Sequence, residues 1–257
     1  MRPIIVMPVG CLWRLGGWNH FRDDYLMHSR TNPTSVWSTI MTKWLAAVAA
    51  VVLWSSVALA ADEYRIEKLE DGPPADDLAA EVIEKLQPTG FKVVNKDNKS
   101  VAEIWLAKEL AVKEGFEPTL SILYPLETGS LVGALKFPLK GSDFRGQEIA
   151  RGTYTLRYGQ QPVDGNHVGT FDTQDFLLLL PAASDRDPAT LPGTDFFATS
   201  AEAAESTHPA IMPLLKPQDG DAPALRHIEE AEWWAARLPG NGGKVPLELI
   251  VVGKAAE

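Results

Sequence analysis

The sequence predicts a mainly β protein, an antiparallel β-sandwich with one N-terminal helix and a short helix in a long loop. Three observations carry this reading. About eight short runs rich in β-branched and aromatic residues alternate with Gly, Pro, Asn and Asp clusters. One of them, Thr153–Gly159, alternates cleanly, placing Tyr154, Leu156 and Tyr158 on one face and Thr153, Thr155 and Arg157 on the other. Only two stretches read as helix, and they stand outside the strand pattern.

Taken in order, Ala61–Gly72 is an acidic lead-in. Pro73–Leu86 reads as a helix with Leu78, Val82, Ile83 and Leu86 on one face, acids early and Lys85 late, as the helix dipole favours. Pro88-Thr89-Gly90 stops it. Phe91–Asn95 and Val101–Ala107 flank a polar five-residue turn and read as a hairpin. Thr119–Tyr124 and Ser130–Phe137 read as a second pair, with Gly133 marking a bulge or a close backbone contact. Asp175–Pro181 is apolar on both faces, as befits a strand that other elements cover.

Asp185–Asp195 is a loop by its prolines and glycine, and Ser200–Glu205 is a short helix capped by Thr199 or Ser200. Two prolines keep His208–Leu215 from being a regular helix. Ala224–His227 and Glu232–Leu238 form a loose strand pair, and Val245–Val252 closes the chain as a strand.

Before this domain stands a targeting pattern. Lys43, the apolar run Trp44–Trp54 and the small-residue ending Ala58-Leu59-Ala60 match a secretory signal peptide, Met41–Ala60, cut before Ala61. The apolar run falls short of the roughly 20 residues a spanning helix needs, so no stable membrane insertion is expected after cleavage. Residues 1–40 read as a gene-start error or a disordered extension, and 61–257 as a single domain. The expected location is secreted or periplasmic.

Composition excludes several classes. Of 24 Lys plus Arg and 34 Asp plus Glu, 19 and 32 lie after Ala60, so the exported chain is strongly acidic and unsuited to nucleic acid. The single cysteine, Cys11, precedes the signal peptide, so neither disulfides nor thiol catalysis are expected. No P-loop, GxGxxG, GxSxG, HExxH or CxxC pattern occurs in the mature region. An enzymatic activity is therefore not indicated.

The candidate site lies between the two strongest strands. Asp164-Gly165-Asn166-His167, with Asp172 and Asp175 on the return, could gather around one ion or one hydroxyl. His with carboxylates suits zinc, whereas Asp and Asn oxygens alone suit calcium. The same residues are also ordinary turn formers, because Asp, Gly and Asn tolerate positive φ. No cofactor is required by this pattern, and a divalent-metal site would need His208 or His227 to join His167. Trp105, Trp233 and Trp234 are the aromatic candidates. Two consecutive residues of a strand point opposite ways, so one of the last two faces outward, and Trp234 is the binding candidate.

At Gly152-Thr-Tyr-Thr-Leu-Arg-Tyr158 the chain resembles the G-x-Y-x-L strand of transthyretin-like and immunoglobulin-like sandwich modules. The longer stretch GTYTLRYGQQPVDGNHVGT followed by DFLLLLPA resembles a motif of an uncharacterised family of secreted bacterial proteins, as do VAEIWLAKEL, SILYP, DFRGQEI, STHPAIMPLL and PALRH. The likeness spans most of Pro74–Val252. It implies export and a β-rich fold, immunoglobulin-like or transthyretin-like, and carries over no catalytic residue. The functional expectation is a non-catalytic binding or scaffolding module with a carbohydrate or protein partner. Alternatives are a divalent-metal-binding, hydrolytic protein using His167 with Asp164, Asp172 and His208 or His227, and a carbohydrate-binding module.

Overall fold

A computed structural model describes residues 63–162 and 171–253. The signal-peptide pattern and residues 1–40 lie outside them. The described residues are mainly β and antiparallel throughout, as expected.

Strands β1 (Tyr64–Leu69), β2 (Gly90–Asn95), β3 (Ser100–Leu106), β4 (Leu131–Phe137), β7 (Gly152–Gln160), β8 (Asp175–Pro181) and β9 (Ile211–Pro213) form one seven-stranded sheet in that order. A short hairpin, β5 (Gly141–Ser142) and β6 (Glu148–Ile149), is inserted between β4 and β7. A second sheet holds β10 (Ala224–Ile228), β11 (Trp233–Leu238) and β12 (Leu247–Val252). The sheets meet at both edges. Leu214 bridges Leu249, and the Leu215 N–H donates to the Glu248 carbonyl at 2.7 Å. At the other edge Tyr64 of β1 packs edge-on against Trp234 of β11, ring centroids 5.3 Å apart.

The large sheet is covered on both faces, and the sequence pattern says why. Tyr154, Leu156, Tyr158, Leu177 and Leu179 point inward into one core shared with Ala236, Leu238, Leu247 and Leu249 of the small sheet. On the outer face, Trp105, Leu131 and Ala134 lie under helix α1 (Ala80–Lys85), which contributes Val82 and is flanked by Leu78 and Leu86. Farther along, Phe176, Leu178 and Leu180 lie under Phe196 of helix α2 (Phe196–Ala203). Each fully buried Leu or Phe is worth about 1.5–3 kcal/mol, so both faces contribute. The doubly apolar run at Phe176–Leu180 was legible as a covered strand for this reason.

Several expectations change. The acidic lead-in contains β1, whose pairing with β2 runs Tyr64 to Asn95 through Leu69 to Gly90. Thr119–Tyr124 forms no strand; its Thr119 caps a turn, and β4 pairs instead with β3 and β7. The first helix is six residues long rather than fourteen. Asp77 does not cap it, because its carboxylate accepts from Thr153 Oγ1 at 2.7 Å and Lys136 Nζ at 3.4 Å. Those bonds, Thr153 foremost, hold the Asp77 carboxyl below its ordinary value. A helix this short is marginal alone, so its packing on Trp105 must sustain it. Helix α2 begins four residues early, and Ser200, expected to cap it, is buried inside and donates to the Ala210 carbonyl at 3.0 Å.

Gly133 meets its expectation. The β4–β7 register shifts beside it, and a Cβ there would lie 2.4 Å from the Trp105 carbonyl oxygen. Trp105 itself is core, its Nε1–H donating to the Asp71 carbonyl at 2.9 Å. The pair β10–β11 and the closing strand form as expected, and the closing strand β12 pairs with β11.

Candidate functional site

The hairpin β5–β6 positions the most conspicuous side chains on the surface. Its turn, Asp143-Phe-Arg-Gly146, closes with Gly146 at φ +82°, a conformation that favours glycine. The buried Asp143 carboxylate accepts from the Arg145 and Gln147 backbone N–H groups at 2.8 and 2.9 Å and from the Arg145 guanidinium at 2.6 and 2.9 Å. With its turn fixed from below, the hairpin projects Phe144 and Arg145 outward.

Phe144 meets Phe171 and Trp233. The three rings lie 5.4, 5.8 and 5.9 Å apart between centroids. Trp233 Nε1–H donates to the Phe144 carbonyl at 2.9 Å, which fixes the plane of the indole. The Arg145 guanidinium lies 5.3 Å from the Phe144 ring centroid, within cation–π range. This aromatic partition stands between two concave surfaces of different chemistry.

On one side is a cleft of about 500 Å³, walled by Phe144, Phe171, Phe176, Phe197, Ile211 and Pro213. Its polar groups are Arg145, Gln161, Thr173, Asp175 and His208. On the other is a shallower groove of about 960 Å³ lined by Trp233, Asp172, Gln218, Asp219, Lys216 and Arg226, with Phe171 and Thr173 shared between the two. Both volumes fall in the range of small-molecule sites.

Each surface rests on a buried carboxylate. Asp175, 1 % exposed, accepts from the Tyr158 hydroxyl and from the Leu123 N–H at 2.6 Å. Burial pushes its carboxyl above the ordinary value, outweighing the hydrogen bonds from Tyr158, Leu123 and Tyr124 that pull it down. Burial first, and the Asp175 carboxylate second, push the Tyr158 hydroxyl far up, so it stays a donor. Glu248, fully buried, lies behind the groove; it accepts from Arg226 Nε at 2.5 Å and from the Gln218 backbone N–H at 2.8 Å. Arg237 approaches the same carboxylate at 3.6 Å.

The sequence-derived candidates divide. Asp164, Asn166 and His167 lie outside the described residues. Asp172 is exposed on the groove rim, and Asp175 is a buried floor residue of the cleft. His208 is exposed at the cleft mouth, whereas His227 is exposed on β10 and stacks on Trp234 at 4.5 Å with an 11° interplanar angle. The two histidines thus belong to different surroundings. Among the described residues no three His, Cys, Asp or Glu side chains gather as a metal would require. Trp234, chosen as the outward tryptophan, is 7 % exposed and wedged between Tyr64 and His227; Trp233 is the one that lines a groove. Alternation along β11 was right, but which face was outward depended on β1 reaching over the sheet edge.

Phe144, Arg145, Phe171, Gln218, Arg226 and Glu248 were not foreseen. An Asp-x-x-Gly turn at 143–146 was a visible signal for the first two. Glu248 inside the apolar run VPLELIVV was another, since a lone carboxylate there demands partners.

Comparison with known proteins returns no match, whether to a protein-family model, a curated protein or a solved structure. What fold and surface define is a class: a mainly β, antiparallel domain with an aromatic partition between an apolar cleft and a polar groove. Among the described residues no helix is long and apolar enough to cross a membrane.

Proposed function

We propose that this chain is an exported, non-catalytic binding module that takes its ligand on the surfaces flanking Phe171. The observation that supports it most is the partition of Phe144, Phe171 and Trp233, pinned by the Trp233–Phe144 hydrogen bond and exposed to concave space on both sides. Rigid aromatic walls with a few fixed polar groups bind ligands at low ordering cost. Export is supported by the Met41–Ala60 pattern, and the acidic balance argues against nucleic-acid partners. Kinship with the secreted family that shares the GTYTLRYG and DFLLLLPA elements belongs to the same proposal.

The scaffold is read as a sandwich, its layers being the seven-stranded and three-stranded sheets. Their common core supports this. In the large sheet neighbours follow chain order apart from the inserted hairpin, unlike the Greek-key connections of immunoglobulin domains. The immunoglobulin-like and transthyretin-like resemblance is accordingly confined to the local G-x-Y-x-L strand.

Titration with the apolar dye N-phenyl-1-naphthylamine, followed by energy transfer from tryptophan, tests the cleft; saturable micromolar binding is expected, and Phe197→Ser should weaken it. N-terminal sequencing of the exported protein should begin at Ala61. The divalent-metal reading rests on Asp164 and His167, and elemental analysis of the isolated protein together with a zinc and calcium melting series decides it.

A further inference from the structure

We propose that the polar groove beside Trp233 binds a neutral oligosaccharide. The inference rests on the binding-module reading and adds the ligand class. Four features of the groove carry it.

The first is a fixed aromatic face. Trp233 is half-buried, its indole locked by the bond to the Phe144 carbonyl and backed by the Phe144 and Phe171 rings. A pyranose presents a patch of C–H groups on its flatter face, and a rigid indole or phenyl ring offers them an apolar, electron-rich partner.

The second is the kind of polar group around that face. Asp172, Gln218, Asp219 and Arg226 all carry planar, multi-site hydrogen-bonding groups. Vicinal hydroxyls, each both donor and acceptor, match such forked groups. An apolar ligand would leave them unpaired, and that costs about 1–3 kcal/mol for each buried group.

The third is charge. The buried Glu248 is shared by Arg226 and Arg237, and exposed Lys216 stands against exposed Asp172 and Asp219, so three cations face three carboxylates. That balance disfavours phosphates, nucleotides and acidic sugars, which would want uncommitted cations.

The fourth is preorganisation. One carboxylate, Glu248, ties Arg226 and the backbone of Gln218 together from beneath, and Thr173 Oγ1 donates to the Leu214 carbonyl at 2.9 Å on the opposite wall. Weak sugar contacts give useful affinity only when the site does not have to be ordered on binding. A groove of about 960 Å³ has room for several sugar units rather than one.

The test is calorimetry on the full exported chain with cellotetraose, chitotetraose, xylotetraose and maltotetraose, paired with N-phenyl-1-naphthylamine titration on the same samples. Binding of at least one oligosaccharide with micromolar to low-millimolar Kd is expected. Trp233→Ala should weaken it at least tenfold and Gln218→Ala severalfold, each variant keeping a cooperative urea-unfolding transition, which shows that it is folded. If the dye binds and none of the four saccharides does up to 10 mM (on the order of the weakest useful affinity), the saccharide inference fails while the binding-module reading stands. If neither binds, both fail. Saccharide binding that survives Trp233→Ala and Gln218→Ala unchanged would also overturn the assignment to this groove.

Discussion

Two buried charge centres in this molecule look alike in composition and differ in purpose. On the outer face of β7, Arg157 is fully buried and paired with Asp185, which Nε and Nη2 contact at 2.7 and 2.9 Å. Its other donors reach the carbonyls of Gly129 at 3.1 Å, Ala189 at 2.7 Å and Asp187, while Thr155 donates its hydroxyl to Asp185. Every partner is internal and the pair is sealed. Glu248 is just as buried, yet its partner Arg226 keeps its side chain 31 % exposed and lines the groove. The sealed centre ties the 185–189 loop to the sheet. The open one aims a side chain at solvent. A buried ion pair is weak evidence for stability by itself, because desolvation offsets attraction; its geometry toward solvent separates a clamp from a site.

The sharpest way to break this comparison is to remove one half of the sealed pair. Arg157→Met should cost about 3–5 kcal/mol in urea unfolding, since Asp185 is left charged and buried. Replacing both, Arg157→Met with Asp185→Leu, should recover most of that loss, because apolar groups of similar size remove the desolvation penalty. If the double variant is no more stable than the single one, the loop carbonyls rather than the carboxylate were the main partner. Neither change should alter oligosaccharide binding.

Glu248→Gln should cost less, about 1.5–3 kcal/mol, because Arg226 can turn to water. It should nevertheless weaken saccharide binding severalfold, whereas the sealed pair, though larger in energy, should not. Equal effects of the two centres on binding would erase the distinction.

The smallest effect is a slope. Asp175 is held above its ordinary value of 3.8 by burial, so the native state keeps this proton more tightly than the unfolded chain. The stabilisation from this proton is present below pH 3.8 and is lost as pH rises through the folded value. Asp175→Asn should flatten that portion of the stability-versus-pH curve relative to the wild type, measured as the urea midpoint from pH 3 to 7. A parallel pair of curves would show that the hydrogen bonds from Tyr158, Leu123 and Tyr124 cancel the effect of burial, and a wild type that gains on the variant as pH rises would show that they dominate.

The sequence by itself determined the β character, most strand positions and the face on which Tyr154, Leu156 and Tyr158 lie. These follow from local rules: period-two alternation, turn residues, and the exclusion of helix by paired prolines. It also exposed Gly133 and the doubly covered strand Phe176–Leu180, because each leaves a mark in one short segment. The partition of Phe144, Phe171 and Trp233 leaves no such mark; its members are separated by 27 and 62 positions in the chain, and only the fold brings them together. Which of Trp233 and Trp234 faces outward was likewise undecidable locally, since alternation sets that they differ and not which is covered. Tyr64, on a strand that read as a loose lead-in, covers Trp234. Burial of Arg157 and Glu248 was decided the same way, by partners far off in sequence that give each charge its hydrogen bonds. Local chemistry chose the elements, and long-range contact chose which of their side chains were left facing the cleft and the groove.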